Sequence, residues 1–159
     1  MATPPLDIRT NPADETIRLG PITLRFLLTG DHSNGSVAAF EFVVPPAQRL
    51  AAPAHSHDHY EESFYGIDGV LTWTVDGKQI EVGPGQALCI PRGAIHRFDN
   101  HGTGNARGFC VITPAAIGPQ FFREAAGVIN AAAGGLPDRA KMVEIMRRHG
   151  LTPAPPPQA

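Results

Sequence analysis

The sequence contains little of what several large classes of protein require. Only two of its 159 residues are cysteines, too few for a disulfide framework. Cys89 and Cys110 each lie in an apolar run, so we expect two buried free thiols in a reducing compartment. Charged residues make up 18%, the net charge is -2 and no Lys/Arg run occurs. This composition argues against nucleic acid or an anionic membrane surface as a partner.

Targeting segments and several common catalytic motifs are also missing. No apolar run is long enough to span a bilayer, and the start of the chain lacks the pattern of a signal peptide. We therefore expect a soluble cytoplasmic protein with no membrane partner. The sequence shows no Ser/His/Asp order, no phosphate-binding Gly-rich loop and no CxxC pair.

Glycine and proline are plentiful, and they indicate the fold class. The 17 glycines and 16 prolines favour many tight turns and therefore short strands. About nine such strands followed by helices predict a mainly β protein, a small barrel or sandwich with C-terminal helices. We expect an extended arm over residues 1–20, the β-barrel over 21–114, a helical extension over 115–150 and a disordered Pro-rich tail over 151–159. The first helix is expected to end at Gly127.

The most informative stretch carries three histidines within the eight residues from His55 to Glu62. His55 and His57 point the same way on an extended strand, because the side-chain period of a strand is two. A second stretch supplies His96 after a turn. Neutral imidazole is the commonest protein metal ligand, and a carboxylate adds charge. The sequence therefore predicts a site for one divalent metal per chain, built from His55, His57, Glu62 and His96.

His59 offers an alternative to this ligand set. The pair His57 and His59 has the same spacing as His55 and His57, but Glu62 then falls one residue too close. We therefore expect His59 to lie at the rim or to support a ligand from behind. The alternative is that His59 replaces His55 as a metal ligand.

Four further residues are candidates for a substrate pocket. Phe64 shares a strand face with Glu62, and Phe98 shares one with His96, so both are candidates for an apolar wall. Ordinary core packing is the alternative for both rings. Tyr60 and Arg92 flank the ligand segments and are candidates for substrate contacts at the barrel mouth, with plain solvation as the alternative.

These segments resemble the two motifs of the cupin superfamily. The second motif is matched without a gap, by Gly85, Pro91, Gly93, His96 and Asn100. The first is matched by His55, His57, Glu62 and Gly69, although its leading glycine is replaced by the loop over 47–54. With the flanking strands, the resemblance covers residues 22–113.

The resemblance implies a double-stranded β-helix, one cupin domain, often dimeric, so we expect a homodimer. It also implies a divalent metal inside the barrel, held by His55, His57, Glu62 and His96. Iron, manganese, nickel, copper and zinc all suit these ligands. The segment from Glu62 to Gly69 looks like the quercetin-dioxygenase-like branch of single-domain cupins.

The leading functional hypothesis is a metal-dependent, dioxygenase-type oxidoreductase acting on a small aromatic or enol substrate. In this hypothesis Glu62 also has a catalytic role, because a carboxylate ligand can take a proton from the substrate. One alternative is a Lewis-acid isomerase or lyase acting on a sugar or hydroxy acid. The other is a non-catalytic barrel that binds a small molecule.

Overall fold

The computed structural model describes residues 15–156 and places them in two β-sheets and two α-helices. The strands are β1 (Glu15–Leu19), β2 (Ile22–Leu28), β3 (Ala38–Val44), β4 (His55–His57), β5 (Glu61–Asp68), β6 (Leu71–Val75), β7 (Lys78–Val82), β8 (Ala87–Ile90), β9 (His96–Asp99), β10 (Ala106–Thr113) and β11 (Leu151–Pro153). The helices are α1 (Pro119–Ala131) and α2 (Arg139–Arg148). A short 3-10 turn covers Gly30–His32.

The strands pair antiparallel within two sheets that pack face to face. One sheet has the order β1-β2-β3-β10-β5-β8, and the other has the order β11-β4-β9-β6-β7. Sequence neighbours such as β3 and β4 lie in different sheets, as expected for a double-stranded β-helix. The predicted fold class, a mainly β barrel with C-terminal helices, is therefore confirmed.

Alternation along the strands determines which side chains face inward. On β5, Glu62 and Phe64 are buried while Tyr65 between Phe64 and Gly66 is exposed. The turn between β6 and β7 has positive φ at both Asp76 and Gly77, the conformation that its Asp-Gly sequence predicts. Asp76 also ties this turn to the start of β9, which carries His96, because its backbone N–H donates to the Ile95 carbonyl and its side chain accepts from the Ile95 N–H, both at 2.8 Å.

An aromatic cluster fills the space between the sheets. The ring centroid of Phe42 lies 5.1 Å from that of Phe98 and 5.5 Å from that of Phe64. Trp73 is buried, with its ring 5.1 Å from that of Phe64 and 5.2 Å from that of Phe98. Each such ring removes a large apolar area from water, so this cluster is a principal source of stability.

Helix α1 packs against the first sheet and is longer than the sequence predicts. Its expected end at Gly127 is wrong, because the helix continues to Ala131. The added turn buries Ile129 and places Asn130 against the β1–β2 turn. There the Asn130 side chain accepts a hydrogen bond from the Gly20 backbone N–H at 2.8 Å and donates one to the Arg18 carbonyl at 2.9 Å. Tertiary contacts therefore outweigh the cost of one helical glycine.

Part of the predicted disordered tail forms a strand, while residues 157–159 of that tail lie outside the described part. Residues Leu151–Pro153 form β11, which pairs with β4 along His55–His57. Leu151 is buried, and the Thr152 hydroxyl donates a hydrogen bond to Asp58 at 2.7 Å. Proline is compatible with an edge strand, since an edge leaves one row of backbone groups unpaired. The segment thus covers the free edge of the strand that carries two predicted ligands.

Two further expectations are corrected at the other end of the chain and at one cysteine. Residues 15–19 of the predicted arm form β1 and pair with β2, while residues 1–14 lie outside the described part. Cys110 is buried as expected, but Cys89 is exposed. None of the helices in residues 15–156 has the length and apolar character needed to cross a membrane.

Candidate metal centre and adjoining cavity

The fold brings the four predicted metal ligands together at the inner end of the barrel. His55 and His57 project inward from β4, and His96 on β9 is the register partner of His55. The ligand nitrogens of these three histidines lie within 4.8 Å of one another. Glu62 reaches them from β5 in the opposite sheet, with its Oε2 atom 3.5 Å from Nε2 of both His57 and His96. All four side chains are buried.

Backbone carbonyls fix the orientation of two of the rings. His55 Nδ1 lies 2.9 Å from the Pro53 carbonyl, and His96 Nδ1 lies 2.9 Å from the Ala94 carbonyl. Because a carbonyl only accepts hydrogen bonds, Nδ1 carries the hydrogen in both neutral rings. The Nε2 lone pairs of both rings are therefore free to bind a metal.

The electrostatics favour neutral imidazoles at His55 and His57 beside an ionised carboxylate at Glu62. Burial and the neighbouring histidines lower the pKa of His55 to about 3, and burial lowers the pKa of His57 to about 4. Burial alone would raise the pKa of Glu62, but the adjacent His96 and His57 hold it at about 2. The pKa of His96 is raised, since Glu62 outweighs the effect of burial. His55, His57 and Glu62 are thus in the protonation states that metal binding requires near neutral pH.

A contact that the sequence does not reveal holds the second oxygen of Glu62. The Cys110 thiol, on the neighbouring strand β10, donates a hydrogen bond to Glu62 Oε1 at 3.1 Å. Burial and the adjacent carboxylate raise the pKa of Cys110 well above its ordinary value, so the donor remains a thiol. Glu62 therefore presents Oε2 to the histidines while Oε1 is held from behind.

The structure places three of the predicted pocket residues away from the position expected for them. Tyr60 is fully buried and stacks on His57 with a centroid distance of 4.4 Å, so its expected position at the barrel mouth is wrong. Phe64 packs in the aromatic core and does not line the cavity described below. Arg92 is exposed and makes a two-point ion pair with Glu61, at 2.6 and 3.0 Å, outside the barrel. Phe98 does line the cavity.

His59 lies outside the histidine cluster. Its side chain is exposed, whereas His55 is buried and contributes to the cluster. The alternative in which His59 replaces His55 as a ligand therefore receives no support from the geometry. Its expected supporting role stays a prediction.

An apolar cavity of about 80 Å³ opens directly onto the four polar side chains. Its walls come from both sheets, including Phe40, Phe42 and Phe98. Helix α1 closes the cavity with Phe121 and Ile129. A site of this kind removes water from whatever binds there and strengthens electrostatic interactions with the few polar groups at its end.

The comparisons with known proteins agree with this geometry. The family model described as a cupin domain matches residues 40–112. Quercetin 2,3-dioxygenase from Bacillus subtilis is 34% identical over 109 residues, which cover 61% of this chain and 31% of that protein. The chain therefore spans about a third of the length of this relative.

Two further relatives match about 70% of this chain. Polyketide synthase CurC from Streptomyces cyaneus is 27% identical over 114 residues, covering 72% of this chain and 70% of that protein. The solved structure of the polyketide cyclase RemF from Streptomyces resistomycificus has 28% identity and a TM-score of 0.56, covering 68% of this chain and 79% of that one.

Sequence motifs, topology and the position of the histidine cluster thus converge on one family. The matched residues span β3 to β10 and contain all four predicted ligands. Members of this family usually bind a metal. Residues 40–112 of the chain therefore form a domain of the cupin superfamily.

Proposed function

We propose that this protein is a metal-dependent enzyme of the dioxygenase type that acts on a small aromatic or enol substrate. The observation that carries the proposal is the meeting of three imidazoles and one buried carboxylate with an apolar, aromatic cavity. The likeness to quercetin 2,3-dioxygenase supports the reaction class. The apolar walls favour an aromatic substrate over a sugar, whose hydroxyls would lose hydrogen bonds to water there.

The residues present suit a divalent metal. His55, His57, Glu62 and His96 would hold it, with Nε2 of His55 and His96 made available by the hydrogen bonds at Nδ1. His57 Nδ1 is buried and has no hydrogen-bond partner among residues 15–156. Three imidazoles and one carboxylate form a site compatible with iron, manganese, nickel, copper or zinc. When bound, the metal supplies a Lewis acid for a substrate oxygen and, if redox-active, a place for dioxygen.

The protein's own residues contribute binding, exclusion of water and a proton acceptor. Phe98 and the other rings of the cavity contact the flat apolar part of the substrate, while α1 keeps water out. Glu62 serves as proton acceptor with Oε2, the oxygen that faces the histidines, when that oxygen is not engaged as a ligand. Because the pKa of Glu62 is only about 2, the carboxylate is a weak base, so the transfer needs a substrate hydroxyl far more acidic than that of a free enol or phenol, an acidity that a bound metal would supply.

A second candidate is oxygen-independent cyclisation of a polycarbonyl chain. The relatives named as a polyketide synthase protein and a polyketide cyclase favour it, since the chain covers 70% and 79% of their lengths. The same carboxylate and apolar cavity suit an enol in a polycarbonyl compound. The difference between the two candidates is the use of dioxygen.

The two candidates are separated by substrate conversion with and without oxygen. The chain is loaded with each metal and offered flavonols, polyhydroxylated aromatics and poly-β-carbonyl compounds. Oxygen uptake matched to product supports the dioxygenase. Conversion that continues under strict anaerobiosis overturns it in favour of the cyclase. No conversion by any metal-loaded form overturns both and leaves a barrel that binds a small molecule.

Substitution of Cys110 tests whether the thiol positions Glu62. Cys110→Ala removes the donor to Glu62 Oε1 and is expected to weaken metal binding about 10-fold or more, as loss of a residue behind a ligand commonly does. Cys110→Ser keeps a hydroxyl donor and is expected to stay within about 3-fold of the unmodified protein. Competition with a metal chelator gives both affinities. Equal affinities in Cys110→Ala and the unmodified protein would contradict this role.

A further inference from the structure

A second, larger opening lies at the rim of the barrel, outside the apolar cavity. This groove, which we name the arginine groove, has a volume of about 540 Å³. Three arginines line it: Arg49 before β4, Arg97 on β9 and Arg139 at the start of α2. All three are exposed.

The arginine groove adjoins the apolar cavity. Three residues line both spaces and form their common wall: Leu50, Ala52 and Ile129. The cavity of about 80 Å³ is smaller than the roughly 300–1,000 Å³ of typical ligand pockets, whereas the groove lies within that range. A ligand that places an apolar ring at the histidines and is too large for the cavity would therefore reach the groove past these three residues.

The charged side chains that line the arginine groove are all positive. Among the described residues that line it, three carry a guanidinium and none carries a carboxylate, although acidic residues outnumber basic ones in the chain by 15 to 13. Arg97 lies 3.8 Å from the Asp99 carboxylate, and Arg139 donates one hydrogen bond to the Ala154 carbonyl at 2.8 Å. Each guanidinium has five N–H donors, so most of the donors of all three remain for a ligand.

We propose that the arginine groove binds an anionic group of the substrate, a carboxylate or a phosphate, while the apolar part of the same molecule occupies the inner cavity. Guanidinium groups bind both kinds of anion through paired hydrogen bonds. This inference rests on the proposed function for the identity of the apolar part, and it narrows the substrate class to aromatic or enol compounds that carry an acidic substituent.

Two fluorescent probes that differ in charge test the groove on the full chain. 1-Anilinonaphthalene-8-sulfonate carries an anionic group on an aromatic body, and N-phenyl-1-naphthylamine is its uncharged counterpart. The triple variant Arg49→Gln, Arg97→Gln, Arg139→Gln is expected to bind the sulfonate about 10-fold more weakly, because charge-assisted hydrogen bonds are lost. Binding of the uncharged probe is expected to stay within about 2-fold, since the apolar walls are retained.

Arg107→Gln is the matched control. Arg107 is an exposed arginine on β10 that does not line the groove, and its replacement is expected to leave both probes unaffected. If the triple variant fails to melt cooperatively, the double variant Arg49→Gln, Arg97→Gln replaces it and keeps the hydrogen bond from Arg139 to Ala154. Displacement of the sulfonate probe by octanoate, octyl phosphate or inorganic phosphate then identifies which anion the groove prefers.

The outcomes separate this inference from the proposed function. Unchanged sulfonate binding in the arginine variants, or an equal loss in Arg107→Gln, overturns the groove as an anion site whatever the metal-loaded protein converts. Selective loss of sulfonate binding supports the groove even if no substrate is converted, in which case only the proposed function fails. Selective loss together with a raised KM for acidic substrates supports both.

Discussion

Glu62→Gln is expected to lower metal affinity at least about 100-fold and to remove metal-dependent turnover. The substitution keeps the size of the side chain but removes the buried carboxylate that lies 3.5 Å from Nε2 of both His57 and His96. Substitution of a residue that only supports a metal ligand commonly lowers metal affinity or activity about 10–100-fold. Loss of a charged ligand itself is therefore expected to lower metal affinity further. Metal bound per chain after dialysis, measured together with turnover, gives the result.

Glu61→Gln is the matched control for this variant. Glu61 is the preceding residue on β5 but faces outward, where it pairs with Arg92. Exposed ion pairs contribute little, so the control is expected to keep its metal and its turnover. Full metal content in Glu62→Gln, or the same loss in both variants, would contradict the role assigned to Glu62.

Gly66→Ala is expected to destabilise the fold by about 3 kcal/mol or more, although the change adds only one methyl group. A Cβ at Gly66 would overlap the backbone carbonyl oxygen of Gly83 and lie 2.7 Å from its carbonyl carbon. The two chain segments cannot separate easily, because Gly66 N–H donates to the Gln86 carbonyl at 2.9 Å and Gly85 N–H donates to the Gly66 carbonyl at 3.0 Å. Chemical denaturation measures the free energy of unfolding.

Gly127→Ala is the control, because it adds the same methyl group at a position with open space around it. Gly127 is exposed within α1, and apart from its chain neighbours and the nearby helix backbone a Cβ there would have no neighbour within 4 Å in the described part of the chain. Alanine favours a helix over glycine, so this variant is expected to be more stable by about 0.5–1 kcal/mol. A small loss of stability in Gly66→Ala, comparable to that of an exposed substitution, would show that the two backbones are not held together as described.

The histidine cluster was predictable because its spacing depends on local geometry. A strand with a period of two places His55 and His57 on one face, and alternation along β5 places Glu62 inward. The motif around His96 includes Asn100, whose buried side chain closes the turn that follows β9. It accepts a hydrogen bond from the Gly102 N–H and donates one to the Gly104 carbonyl, both at 2.9 Å. Local rules therefore suffice for these positions.

Contacts between distant segments were not predictable in the same way. Cys110 meets Glu62 across 48 positions of sequence, and only the register of β10 against β5 brings them together. The order of Leu151–Pro153 depends on the edge that β4 offers, whereas its composition resembles a disordered tail. The position of Tyr60 beside the ligand segments predicts a place at the barrel mouth, but its ring is buried and stacks on His57. The expected homodimer and cytoplasmic location stay predictions.

The most direct test of the central claim is the metal content of the full chain, purified without a histidine tag and without added metal. Mass spectrometry of the untreated protein and of Glu62→Gln, with Glu61→Gln as control, gives the number of each metal ion per chain. The site described above predicts about one divalent ion per chain in the unmodified protein and in the control, and its loss in Glu62→Gln. An unmodified protein that holds no metal, and takes up none when iron, manganese, nickel, copper or zinc is supplied, would contradict the metal centre.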